Sequence, residues 1–250
     1  MFHARPFCTI PAEEFTGAAI ILMLDLETSG LDVTRNLVVE IAACEAPSHP
    51  AALGASFATV VAGASGDASA VHGISLEEIA RGPRFAEAWS RFVAFAEGLI
   101  DSSLQEASSD SEDGSPGPPR PPSEPPELLV VAHNGIRFDF AMLLFECQRH
   151  SLPWAPLERF LFMDTLDVLS AFGVEDLGGC RKLQCLARVA GGTDGTLRAH
   201  RALDDCIALR KVMESVAARF GVCLLELLRP FAVRLDASAS LAQVSVLSES

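Results

Sequence analysis

Residues 20–30 read IILMLDLETSG, and this short stretch decides the fold. Its first half is a continuous apolar run, which is typical of a β-strand covered on both faces. Asp25 and Glu27 follow the run, and alternate residues of a strand point to one face, about 6.5–7 Å apart. Two such carboxylates repel each other unless a cation lies between them, so the stretch predicts a site for a hard divalent cation. The alternative is a solvated strand end with two incidental acids.

Outward from this strand, predicted strands and helices alternate along the chain, which indicates an α/β domain. The expected strands are 20–27, 37–43, 57–62, 128–132 and a short one at 160–163. The expected helices are 85–100, 140–149, 183–189, 202–218 and 223–228. We expect an N-terminal extension at 1–17, the folded domain at 18–230 and a C-terminal tail at 231–250.

Residues 101–127 break the pattern, because they are dense in Ser, Pro, Asp and Glu and carry a net charge of −6. Such a stretch buries too little apolar surface to offset the entropy of ordering it. It therefore predicts a long disordered insert within the domain. The spacing of Pro119 and Pro122 would suit an SH3-type partner, although a solvated linker has the same composition.

The net charge of the 250 residues is −14 and the pI is near 4.8, which argues against binding nucleic acid through a broad basic surface. The chain contains no tyrosine, so a mechanism that needs a tyrosine hydroxyl is excluded. Its seven cysteines include no CxxC pair, which predicts reduced core thiols in an intracellular protein. The longest N-terminal apolar run is too short to span a bilayer, so no membrane association is expected.

Two further stretches place acids and histidines at the ends of predicted elements. Residues 133–139 read HNGIRFD and lead from a buried strand into a helix, with Asp139 near its first turn. Residues 200–205 read HRALDD, and this spacing brings His200 and Asp205 together if His200 precedes the helix and Asp205 lies one turn into it. Taken singly, each acid could simply stabilise a helix N-terminus.

Together and in this order, the three stretches resemble the motifs of the DEDDh 3′–5′ exonucleases, and HNGIRFD is most similar to the repair exonucleases. Residues 71–75 (VHGIS) and 163–166 (MDTL) agree as well, so the resemblance covers roughly residues 20–218. It implies a ribonuclease H-like fold, with a mixed central sheet flanked by helices and interrupted by the long disordered insert. Three ordered motifs are far more specific than one.

The resemblance also implies the chemistry of the site. Two divalent ions, Mg²⁺ or Mn²⁺, would be held by four carboxylates, and His200 would be the general base that takes a proton from water. The products would be nucleoside 5′-monophosphates. A sister branch of the family uses tyrosine in place of this histidine. Because the chain contains no tyrosine, the resemblance excludes that branch. The implied metal ligands are Asp25, Glu27, Asp139 and Asp205.

Substrate contacts are implied for five further residues. Leu31 would wedge beside the terminal base, Ile74 and Phe138 would add apolar or stacking surface, and His133 would reach a phosphate. The backbone of Thr28 would meet the terminal nucleotide. Core packing is the alternative for Leu31, Ile74 and Phe138. Asp164 is expected only to cap the helix that follows it.

The predicted function is a metal-dependent exonuclease acting on single-stranded or frayed 3′ ends, in DNA rather than RNA, with a role in DNA repair. The alternatives are a ribonuclease that trims RNA 3′ ends and a non-catalytic module that binds nucleic acid or protein on the same fold. The expected location is the cytoplasm or nucleus, with an organelle as the alternative. A homodimer and a protein partner at the Pro-rich insert stay open.

Overall fold

The computed structural model describes residues 7–10, 14–15, 17–47, 54–63, 72–109, 125–174, 179–190 and 201–236, and of residues 106–109 only the backbone. Within this part of the chain, seven strands form one sheet in the order β1-β7-β6-β5-β2-β3-β4. Their bounds are β1 Phe7–Thr9, β2 Ala19–Thr28, β3 Val38–Ala46, β4 Ser56–Val60, β5 Glu127–Ala132, β6 Leu161–Asp164 and β7 Val233–Leu235.

The sheet is mixed, as expected. β2 lies at its centre, antiparallel to β3 on one side and parallel to β5 on the other. β5 and β6 are also parallel, whereas the β3–β4, β6–β7 and β7–β1 pairs are antiparallel. The carboxyl ends of β2, β5 and β6 therefore meet at one edge, where open α/β sheets carry their sites.

Helices cover both faces of the sheet, which confirms the α/β architecture. Their bounds are α1 Leu76–Arg81, α2 Phe85–Ser109, α3 Asp139–Arg149, α4 Ala155–Glu158, α5 Thr165–Ala171, α6 Leu183–Val189, α7 Ala202–Phe220 and α8 Leu224–Leu228. The apolar sides of α2 and α3 pack on one face of the sheet, and those of α5, α6, α7 and α8 pack on the other. No helix in the described ranges is long and apolar enough to cross a membrane.

The sheet extends beyond the expected domain limits of residues 18 and 230. β1 lies in the expected N-terminal extension, and β7 lies in the expected C-terminal tail, where the two strands pair with each other. Phe7 is buried against the rings of Phe140 and Phe162. Strands of three residues carry too little periodicity to be recognised in a sequence, so only their long-range pairing reveals them.

The stretch 101–127, expected to be a disordered insert, overlaps a helix at its start and a strand at its end. Helix α2 continues from the predicted end at Ile100 to Ser109, so the first nine residues of that stretch are helical. At the other end, Glu127 already belongs to β5. Extending an existing helix is far easier than nucleating one, which explains how polar residues continue it. Residues 110–124 lie outside the described residues.

The expectation that the cysteines are reduced core thiols is wrong for four of the seven. Cys180 and Cys185 are joined by a disulfide, with their Cα atoms 6.2 Å apart, and are therefore not reduced thiols. Cys8 and Cys223 are exposed thiols rather than core residues. The prediction is confirmed for the three buried free thiols, Cys44, Cys147 and Cys206.

Candidate active site

The alternation of β2 places its two acids on the face covered by α7. Leu22, Leu24 and Leu26 belong to the core under α2 and α3, whereas Ile21 and Met23 belong to the core under α5 to α8. Asp25 and Glu27 share the parity of Ile21 and Met23, so they project towards α7. The prediction that Asp25 and Glu27 project from the same face of the strand is confirmed.

Asp205 completes a group of three carboxylates. It lies in the first turn of α7, only 7% exposed, and its amide donates to the Arg201 carbonyl at 3.0 Å. One carboxylate oxygen from each of Asp25, Glu27 and Asp205 lies within 4.8 Å of the others. The expected placement of Asp205 one turn into its helix is therefore confirmed.

Asp139 joins the group through the backbone of β2. It is 3% exposed at the start of α3, and its Oδ1 accepts a hydrogen bond from the Leu26 amide at 3.1 Å. Leu26 lies between Asp25 and Glu27, so this bond holds the Asp139 carboxylate beside the other acids. Its charge is also one of the causes that raise the pKa of Asp25. The structure thus brings all four predicted ligands to one place.

The acids have strongly perturbed pKa values. Burial, and then the charges of Asp139, Asp205 and Glu27, raises the pKa of Asp25 well above its usual value. Burial, reinforced by the charge of Asp205, raises the pKa of Glu27 to about 7. Burial also raises the pKa of Asp139 to about 8. Each carboxylate therefore resists ionisation in the protein alone, because its charge is poorly solvated and has like charges near it.

These properties suit a divalent cation. Carboxylate oxygens are the ligands that hard cations such as Mg²⁺ and Mn²⁺ prefer. A bound cation would also offset the mutual repulsion and the burial that raise the pKa values of Asp25, Glu27 and Asp139. Oxygen atoms of Asp25, Glu27 and the chain-distant Asp205 lie within 4.8 Å of one another, which is close enough to share one ion. The donor set therefore fits the metals that the sequence implied.

Asp164 organises the loop that precedes Asp139. As expected, it caps α5 by accepting a hydrogen bond from the Leu166 amide at 3.0 Å. It also accepts from the amides of Asn134 and Ile136, at 3.0 and 3.1 Å, which the sequence did not indicate. Asn134 takes a left-handed conformation with φ of 62°, and these bonds stabilise the turn. Asp164 thus positions the loop that leads into Asp139.

His133 lines the site but is already engaged. Its Nδ1 lies 2.9 Å from the hydroxyl of Thr165, and the ring also hydrogen-bonds to the backbone of Arg181. Burial lowers its pKa, so the ring is neutral at pH 7. In this arrangement His133 links β5 to the segment before α6. The contact of His133 with a phosphate stays a prediction. Such a contact would require the hydrogen bonds to Thr165 and to the Arg181 backbone to rearrange.

The other predicted substrate residues differ in exposure. Leu31 is 83% exposed, so its side chain is open to a ligand as expected. Phe138 is partly buried against the core under α2 and α3, and Thr28 is buried, with its hydroxyl bonded to the Gly30 carbonyl. Ile74 is fully buried with Val39 and Ile79. The prediction that Ile74 offers surface to a substrate is therefore wrong, and core packing is its role here.

A cavity of about 530 Å³ opens at the carboxylates. The segment around the start of α6 also lines this cavity, through Arg181, Lys182 and Gln184. These residues belong to none of the three sequence motifs, although two adjacent basic residues directly before a predicted helix are a visible signal. The site thus combines an acidic wall with a wall that can contact anionic groups.

His200, the predicted general base, lies outside the described residues. Its neighbour Arg201 is described, and Arg201 immediately precedes the α7 helix that carries Asp205. The role of His200 therefore stays a prediction from the sequence.

The fold and the carboxylates together define a ribonuclease H-like domain with a candidate site for divalent cations. No protein-family model matches the chain, and no curated protein sequence gives a significant match. Solved structures do match, and 116 chains do so significantly. This confirms, for the fold, the resemblance to DEDDh exonucleases found in the sequence.

Three of these structures illustrate the likeness. The nuclease domain of 3′hExo, a DEDDh family member bound to rAMP, has a TM-score of 0.60 and 15% identity, over 81% of this chain and 92% of its own. Cell-death related nuclease 4 (CRN-4) has a TM-score of 0.56 and 14% identity, over 81% of this chain and 64% of its own. E. coli Exonuclease I, in complex with a dA16 oligonucleotide, has a TM-score of 0.53 and 18% identity, over 80% of this chain and 41% of its own. The chain thus spans less than two thirds of two of these proteins, and at such identities the likeness establishes the fold.

The raised pKa values predict how the stability of the metal-free protein depends on pH. Each acid binds its proton more tightly in the folded than in the unfolded state, so stability falls as pH rises from about 4, the usual carboxyl range, to about 8, the pKa of Asp139. In EDTA, we expect the free energy of unfolding measured in urea to be lower at pH 8 than at pH 6. Mn²⁺ should restore it at pH 8.

The control variants are Asp139→Asn and the exposed Asp101→Asn. Asp139→Asn removes a buried group that titrates in this range but keeps an oxygen for the Leu26 amide, so the metal-free variant should lose less stability between pH 6 and pH 8 than the wild type. Asp101→Asn should behave as the wild type. A wild type whose stability in EDTA rises between pH 6 and pH 8 would contradict the assignment.

Proposed function

We propose that this protein is a metal-dependent 3′–5′ exonuclease, which hydrolyses the terminal phosphodiester of a nucleic acid and releases a nucleoside 5′-monophosphate. The observation that carries the proposal is the convergence of Asp25, Glu27 and Asp205 on one cavity, with Asp139 held beside them by the Leu26 amide. These acids are the ones that the family motifs designate. Incidental surface acids would be scattered and solvated, whereas these are clustered and mostly buried.

The proposed metal ligands are Asp25, Glu27, Asp139 and Asp205, which would hold two Mg²⁺ or Mn²⁺ ions. When bound, such ions lower the pKa of an attacking water and stabilise the oxygen that leaves. The protein holds its carboxylates in place before any ion binds, through the Leu26 amide and the first turn of α7. Such preorganisation reduces the rearrangement that the site needs when the substrate arrives.

His200 is the proposed general base. A neutral imidazole with a pKa near 7 can take a proton from water at physiological pH. In the sequence it directly precedes Arg201, which is the residue before the helix that carries Asp205. We therefore assign the proton transfer to His200 and the metal-holding role to the four acids.

The substrate would enter with its 3′ end between the two walls of the cavity. Leu31 is exposed beside the end of β2 and would pack against the terminal base, while the backbone of Thr28 and the ring of Phe138 would contact the terminal nucleotide. Lys182 and Arg181, which also line the cavity, would contact backbone phosphates. Contacts limited to the 3′ terminus and its nearest phosphates suit a protein of net charge −14, because such a protein would bind the end of a nucleic acid rather than a long stretch of it.

Single-stranded or frayed DNA is the proposed substrate, and RNA is the second candidate. The matched structures include one bound to rAMP and one in complex with a dA16 oligonucleotide, so relatives of this fold accept both sugars. A non-catalytic module is less consistent with four acids kept close together at the cost of mutual repulsion. A role in DNA repair would follow from the DNA substrate.

The proposal is tested by digesting 5′-labelled single-stranded DNA and RNA with Mg²⁺ or Mn²⁺. The wild type should shorten the DNA stepwise from its 3′ end and stop when EDTA is added. Asp205→Asn should lower the rate by about a hundredfold or more, because several kcal/mol of transition-state stabilisation depends on the bound ions. Faster laddering of the RNA would assign the second candidate instead.

Asp204→Asn is the matched control, since Asp204 lies beside Asp205 in the same helical turn but does not line the cavity. It should retain activity within a few-fold of the wild type. No cleavage of either polymer by the wild type, or equal rates for wild type and Asp205→Asn, would contradict the proposal.

A second variant tests the base. His200→Ala should keep Mn²⁺ binding but lose about 10²- to 10⁴-fold in turnover, because a positioned general base typically contributes that factor. Turnover in single-turnover assays and Mn²⁺ affinity by calorimetry separate the two effects. Unchanged turnover would mean that another group takes the proton.

A further inference from the structure

Glu40 is a buried acid next to the site that is not one of the proposed ligands. It lies on β3 directly opposite Glu27 in the β2–β3 pairing, and it is 3% exposed. Residues opposite each other on neighbouring strands share a face, and like charges in such a pair destabilise a sheet. An acid at this position therefore needs a strong partner.

That partner is Arg201, which bonds to both carboxylate oxygens of Glu40. Arg201 Nη2 donates to Oε1 at 2.8 Å, and its Nε donates to Oε2 at 3.3 Å. The Ala202 amide donates to Oε2 as well, at 3.0 Å. A bidentate arginine–carboxylate pair is among the contacts with the most closely defined geometry in proteins.

These bonds connect strand β3 to the start of helix α7. Arg201 is the residue before the helix and has no side-chain cap of its own, so the Glu40 carboxylate caps the helix from a distant strand. Asp205 follows one turn later and donates its amide to the Arg201 carbonyl. A displacement of Arg201 would consequently move Asp205 relative to Asp25 and Glu27.

We propose that Glu40 and Arg201 are positioning residues, which fix the first turn of α7 on β3 and so set the position of Asp205 in the carboxylate group. The inference deepens the proposed function and rests on its metal site. Glu40 and Arg201 contact no substrate in this account, because they act through Asp205. The guanidinium of Arg201 also acts against the repulsion that the charge of Glu40 exerts on Glu27.

Mn²⁺ affinity tests the proposal with a readout that does not depend on turnover. Glu40→Gln and Arg201→Gln should each weaken Mn²⁺ binding, measured by electron paramagnetic resonance well below the unfolding temperature. Partners that orient metal ligands typically contribute about 10- to 100-fold in affinity, so a loss of about tenfold or more is expected. The double variant should lose about as much as either single variant, because each removes the same contact.

Arg210→Gln is the matched control. Arg210 lies on the same helix and binds the same strand, because its Nη1 donates to the Glu45 carbonyl at 3.2 Å, but it lies away from the carboxylates. Its loss should reduce the free energy of unfolding and leave Mn²⁺ affinity unchanged. Arg201→Lys is a milder variant that keeps the charge and loses the bidentate contact. It should fold and show an intermediate loss of Mn²⁺ affinity.

The outcomes separate the inference from the proposed function. A wild type that binds Mn²⁺, with Glu40→Gln, Arg201→Gln and Arg201→Lys binding it equally well, would overturn the positioning role alone. Equal losses of affinity in Arg201→Lys and Arg210→Gln would also overturn it, since the effect would then follow general destabilisation. A wild type that binds no Mn²⁺ would overturn the proposed metal site and the inference with it.

Discussion

Repulsion among four carboxylates is the constraint on which the rest of this site depends. Burial and mutual charge raise the pKa values of Asp25, Glu27 and Asp139, so the fold must hold these groups together against their own electrostatics. It does so through the backbone and through neighbouring side chains. The Leu26 amide binds Asp139, and the Glu40–Arg201 pair anchors the helix turn of Asp205. The same repulsion explains why a divalent cation fits the site.

Much of this arrangement could be predicted from the sequence, because it follows from local periodicity. The apolar run before Asp25 identified the central strand, and the two-residue spacing put both acids on one face. The placement of Asp205 one turn into a helix followed equally from local spacing. The proximity of the three motifs in the folded chain depends on long-range contacts. Only the family resemblance predicted that proximity. The solved structures then confirmed the fold at 14–18% identity, where sequence comparison found no match.

The features that the sequence did not indicate depend on partners far along the chain. Glu40 acquires its role from Arg201, 161 residues away, and Asp164 acquires its second role from amides 28 and 30 residues earlier. The strand β1 is recognisable only through its pairing with β7. Ile74 was misassigned because an apolar residue in a loop can face either a ligand or the core, and only packing decides between them.

The central claim, that these carboxylates form a divalent cation site, is tested most directly by diffraction. Crystals of the protein soaked in MnCl₂ should show anomalous density between Asp25, Glu27, Asp139 and Asp205, at two positions when a nucleoside 5′-monophosphate is present. Crystals of Asp205→Asn should show weaker density or one position. Wild-type crystals with no anomalous density at these carboxylates, at millimolar Mn²⁺ and pH 8, would contradict the account.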